Sequence, residues 1–72
     1  MQAKLINFET GWFGLELGLT DADISALIRR LEKLRESKGH FHARGVFEGQ
    51  GGLGDIEFYW TESSDANGLS FE

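Results

Sequence analysis

Thr20–Gly39 reads TDADISALIRRLEKLRESKG, and this stretch decides the fold. Its apolar residues Ile24, Leu27, Ile28, Leu31 and Leu34 recur at steps of three and four, the signature of one helical face. Thr20 is placed to cap the first turn, and Asp23 can reach back to it in a short capping box. Asp21 adds negative charge where the helix dipole favours it; Arg35 and Lys38 suit the opposite end. Gly39 is the residue expected to take the left-handed conformation that stops the helix. The pattern predicts a helix over about residues 20–38.

Outward from the helix the period changes to two. On the N-terminal side, Ala3–Phe8 (AKLINF) and Trp12–Leu19 (WFGLELGL) read as strands joined at Glu9-Thr10-Gly11, a glycine-containing hairpin connection. Phe13, Leu15, Leu17 and Leu19 alternate with Trp12, Gly14, Glu16 and Gly18, as in a half-buried strand. On the C-terminal side, His40, His42 and Arg44 alternate with Phe41 and Ala43. Gly45 interrupts the alternation before Val46 and Phe47, which suggests a bulge. GQGGLG, residues 49–54, is a flexible connector. Asp55–Thr61 (DIEFYWT) sets Ile56, Phe58 and Trp60 against Asp55, Glu57, Tyr59 and Thr61. The tail SSDANGLSFE is turn-rich, with a short edge strand expected over Gly68–Glu72.

The order is therefore β-β-α-β-β in one domain, 1–72. Its simplest assembly is an α+β two-layer sandwich: an antiparallel-rich four-stranded sheet with one helix on one face.

Composition narrows the function classes. Seventy-two residues bury little apolar surface, and there is no cysteine to add a disulfide or to serve as thiolate ligand or nucleophile. Neither a signal peptide nor an apolar run of membrane-spanning length is evident, so a cytoplasmic protein without membrane contact is expected. Seven basic residues face twelve acidic ones, a formal charge of −5. Five of the seven bases, Arg29, Arg30, Lys33, Arg35 and Lys38, lie in the second half of the helix. An acidic body repels phosphates, which speaks against direct nucleic-acid binding. The basic helix reads as a solvated face, interrupted by Glu32 and Glu36.

A sheet covered by one helix leaves a second face open. The alternation assigns Trp12, Glu16, His40, His42, Arg44, Glu57 and Tyr59 to that face. Aromatics and arginine mixed with charge suit a protein-binding surface, or else they shield the sheet. His40 and His42 with Glu57 or Glu16 would have the donor types of a two-histidine, one-carboxylate metal site. Any alternating strand, however, places i and i+2 together, and solvent-facing histidines are the simpler reading. No serine, cysteine or tyrosine stands at a recognised catalytic spacing from them. The reading is no catalytic residue, no metal and no cofactor. GQGGLGD lacks the Gly-Lys-Ser/Thr ending of a phosphate loop, and a strand follows it where phosphate binding needs a helix N-terminus.

The segment LTDADISALIRRLEKLRESKGHFHARGVFEGQGGLGDIEFYW carries a family likeness. An amphipathic helix opening Leu19-Thr20-x-x-Asp23-Ile24, then His-Phe-His, a glycine loop and Gly-Asp-Ile-Glu, resembles the small α+β immunity proteins of bacterial polymorphic toxin systems. The likeness spans about Leu15 to Trp60. It implies a cytoplasmic protein that binds and blocks a toxin, with no shared catalytic residues to carry over. Phage-encoded inhibitors of bacterial defence, anti-CRISPR proteins among them, are often small acidic α+β domains too. That alternative implies steric block, or mimicry of nucleic acid by Glu48, Asp55, Glu57, Glu62 and Asp65. A homodimer, formed through open sheet faces or edge strands, is expected on grounds of size.

Overall fold

The computed structural model describes residues 1–63 and 68–72. Chain order is β1 (Gln2–Asn7), β2 (Phe13–Gly18), α1 (Asp21–Ser37), β3 (His40–Arg44) and β4 (Asp55–Tyr59), an α+β arrangement.

Helix α1 begins as its sequence dictates. The Thr20 hydroxyl accepts from the Asp23 amide at 3.1 Å, and the Asp23 carboxylate accepts from the Thr20 amide at 3.0 Å. Two otherwise unpaired donors of the first turn are thereby satisfied. The stop differs from the expectation at Gly39. Lys38 takes the left-handed conformation, φ 56° and ψ 34°, and its amide bonds to the Leu34 carbonyl at 2.8 Å. The reason lies in the next strand: the Gly39 carbonyl accepts from the Trp60 amide at 3.1 Å. Gly39 is already committed to the β3–β4 ladder, so the turn falls one residue earlier. Lys38 is held there by its ammonium, which donates to the Arg35 carbonyl and lies 4.9 Å from the centre of the Trp60 ring.

Strands β1 and β2 pair antiparallel from Gln2↔Gly18 to Asn7↔Phe13. The three-residue connection is closed by a Phe8 amide to Trp12 carbonyl bond of 3.1 Å. Glu9 (φ 57°) and Gly11 (φ 93°) both enter the left-handed region, and the Asn7 side chain accepts from the Glu9 amide. Strands β3 and β4 pair antiparallel from His40↔Tyr59 to Arg44↔Asp55.

The four strands do not form one sheet. β1–β2 and β3–β4 are separate two-stranded sheets, which corrects the expected four-stranded sheet. Alternation told each strand which side is apolar but carried no information on which edges meet. The bulge expected at Gly45 is absent as well. Gly45 donates the last ladder bond to Gly54, 2.8 Å, and Val46 and Phe47 leave the sheet, Phe47 with φ 56°. A Cβ at Gly54 would meet the Phe47 ring, so a larger residue there would make that exposed ring shift as the loop returns. Gly68–Glu72 adds no edge strand, and Leu69 and Phe71 are fully exposed.

The packed centre lies between α1 and the inner face of β3–β4. Phe41 and Phe58 stack at 4.7 Å between ring centres, 11° from parallel. Ala26, Leu27 and Leu34 of the helix, with Ile56 and Trp60, are half-buried. Leu17 reaches this centre, lining a 140 Å³ crevice with Leu27, Phe41 and Phe58. No side chain among the described residues is fully buried. The chain exposes 6807 Å², where a compact monomer of 8.1 kDa exposes about 4,500 Å². Its radius of gyration is 14.0 Å, against about 11 Å for a compact domain of this length. No described helix is long and apolar enough to cross a membrane.

Candidate functional site

The outer face of β3–β4, away from α1, is built by strand alternation alone. Inward-facing Phe41, Ala43, Ile56 and Phe58 force His40, His42, Arg44, Asp55, Glu57 and Tyr59 to the other side. Register then sets His40 beside Tyr59, His42 beside Glu57 and Arg44 beside Asp55. Five of the seven residues expected on an open face thus stand together. Trp12 and Glu16 do not join them, because they belong to the other sheet. Trp12 is 75% exposed beside the β1–β2 turn, and Glu16 sits opposite Lys4 in the β1–β2 register. Asp55 is the member that sequence reading left out. Its place in the Asp55-x-Glu57-x-Tyr59 alternation was the signal that could have found it.

His42 is the hub of this row. Its Nδ1 lies 3.0 and 3.1 Å from the two Asp55 carboxylate oxygens, and its Nε2 lies 3.6 Å from Glu57 Oε1. Arg44 Nε donates to Asp55 Oδ1 at 3.4 Å. The His40 ring meets the His42 ring edge-on, with 5.3 Å between centres. Only the Asp55 contacts of His42 are within hydrogen-bond distance; Glu57 is a longer contact on the other ring nitrogen. The row is therefore a chain of contacts, Arg44–Asp55–His42–Glu57, with the exposed phenol of Tyr59 on the same face opposite His40. Large parts of Arg44 and Tyr59 stay open to solvent.

Glu57 stands beside Nε2 of His42 and Asp55 beside Nδ1. Among the described residues, no three His, Asp or Glu side chains converge to hold a metal ion. The proposed Glu16 ligand lies on the separate β1–β2 sheet.

The loop Gly45–Gly54 borders the site at the Asp55 end and lines an open hollow of 460 Å³. Strand β4 follows it directly, so no helix N-terminus faces the glycines. Val46 and Phe47 project from the loop into solvent.

Comparison with protein-family models, with curated proteins and with solved structures gives no match.

Proposed function

We propose that this chain is a non-enzymatic, cytoplasmic inhibitor that binds another protein through the outer face of β3–β4. The partner class is a bacterial toxin, following the resemblance to immunity proteins. The observation that carries this reading is the row His40, His42, Arg44, Asp55, Glu57 and Tyr59, fixed by register on one uncovered face. The row supplies what a protein interface uses: exposed aromatic and guanidinium groups, flanked by polar side chains already oriented by one another. Ordering them before binding lowers the entropy lost on association.

Mimicry of nucleic acid, the anti-defence alternative, draws less support from the geometry. It needs free carboxylates, yet Asp55 and Glu57 are both turned onto His42, and Asp55 onto Arg44 as well. Of the other acids it invokes, Asp65 lies outside the described residues. The metal-dependent alternative, built on His40 and His42 with Glu57 or Glu16, draws less support because Glu16 lies on the other sheet.

Co-expression with the product of any toxin gene that adjoins this one tests the proposal. Cells carrying the unaltered chain survive; Tyr59→Ala and Arg44→Ala lose protection while keeping the circular-dichroism spectrum of the parent. Truncating a central anchor costs about 2 kcal/mol or more in binding, which calorimetry resolves. Protection that survives both substitutions, or no protection by the parent, overturns the reading.

A further inference from the structure

We propose that the solvent-facing stripe of α1 is a self-association seam, through which two copies of this chain pair their helices antiparallel about a two-fold axis. The apolar residues of α1 divide into two groups. Leu27 and Leu34, with Ala26, turn toward β3–β4. Ile24, Ile28 and Leu31 turn away and remain 44%, 50% and 42% exposed. One helix carries two apolar stripes, and its own sheet covers only one.

The uncovered stripe has a distinct order. Asp21, Ile24, Ile28, Leu31 and Arg35 follow one another at steps of three, four, three and four, the repeat that forms a helix–helix seam. It begins with an acid and ends with a base, seven residues on either side of Ile28. Antiparallel pairing sets Asp21 against the partner's Arg35 at both ends and brings Ile24 beside the partner's Leu31. Parallel pairing would instead oppose acid to acid and base to base. Neither the Asp21 carboxylate nor the Arg35 guanidinium makes an ion pair among the described residues. A face complementary to itself under a two-fold is the requirement for an isologous dimer.

Charge agrees with this occupant. The acidic charge of the whole chain does not oppose pairing here: residues 21–38 hold five bases and four acids. The seam lies on the opposite side of β3–β4 from the row centred on His42, so a dimer presents two such rows outward.

Sedimentation equilibrium of the full chain tests the seam. The expected mass is twice the 8.1 kDa of one chain at micromolar concentration. Ile28→Asp weakens the dimer by about a hundredfold or more, and Arg35→Glu by about tenfold. The pair Arg35→Glu with Asp21→Lys restores association to within about threefold of the parent, because antiparallel complementarity is re-formed with signs exchanged. In a chain without cysteine, Ile28→Cys provides a second readout: it cross-links on oxidation, while Val46→Cys does not. A mass of 8.1 kDa across the micromolar range overturns the proposal. So does a dimer indifferent to Ile28→Asp, one that the double exchange fails to restore, or an Ile28→Cys chain that stays uncross-linked.

Discussion

The two hairpins of this chain are nearly the same length and have the same antiparallel pairing, yet only one is packed. β3–β4 lies under α1, with Phe41 and Phe58 stacked between the layers. β1–β2 pairs Leu5 with Leu15 and Asn7 with Phe13, but Leu5, Phe13 and Leu15 stay 55%, 61% and 45% exposed. Only its root, at Met1 and Leu17, reaches the helix; the Met1 amine lies 3.0 Å from Asp23. Strand pairing satisfies backbone donors and acceptors whether or not either face is covered. Stability in a small domain comes mainly from covering a face. The difference therefore separates the part of the molecule that holds the fold from the part that hangs on it.

The comparison breaks most sharply under matched truncations. Phe58→Ala is expected to cost about 3 kcal/mol, since it removes a stacked ring from the one packed layer. Leu15→Ala in β2 costs less, about 1 kcal/mol, because nearly half of that residue stays in water. Urea unfolding of the two variants compares them directly. Equal losses would mean that the first hairpin is as firmly covered as the second.

Thr20→Ala comes next. Loss of the cap costs about 1 kcal/mol and acts on the element that both hairpins flank, so thermal unfolding should fall without a change in the register of either. The partner in this cap adds a pH signature. The Thr20 amide bonded to the Asp23 carboxylate, helped by the Met1 amine, lowers the Asp23 pKa below its ordinary value of 3.8. A carboxylate with a depressed folded-state pKa stabilises the fold fully above its unfolded value and loses that contribution as pH falls through the folded value. The stability gap between the parent and Asp23→Ala should be present at neutral pH. It should begin to narrow below about pH 3.8 and go on narrowing as pH falls through the lower folded value; a gap that does not narrow with acid would remove the Asp23 carboxylate from the account.

The smallest effect sharpens the contrast from the other side. Trp12→Ala should shift stability by no more than about 0.5 kcal/mol, and chemical denaturation should barely register it, because the ring stands in water beside a turn. A larger loss would place Trp12 against a surface that the single chain does not provide.

Local chemistry explains what was legible in the sequence. The α1 start, Thr20 with Asp23, is written within four residues and formed as read. Order and pairing within each hairpin were legible from alternation and glycine-bearing turns, as was the shared face of His40, His42, Arg44, Glu57 and Tyr59. Joining the hairpins into one sheet required knowledge of which edges meet, and alternation is silent on edges. Trp12 and Glu16 were drawn into the same face by that assumption. Gly39 was passed over for Lys38 because a backbone bond to Trp60, twenty-one positions away, claimed its carbonyl. The apolar face of α1 read as one stripe; the structure divides it, since β3–β4 is too narrow to cover both halves.

The lack of a fully buried side chain among the described residues also has a metabolic consequence. The backbone should open at low cost, so amide exchange is expected to be quick and proteolysis to proceed at a rate set by the open population. Each association that covers a face closes that route by mass action. Turnover then reports occupancy: copies without a partner are cleared within a short half-life, and engaged copies persist. The abundance of the protein in a cell should follow the supply of whatever binds it, with no change in its synthesis.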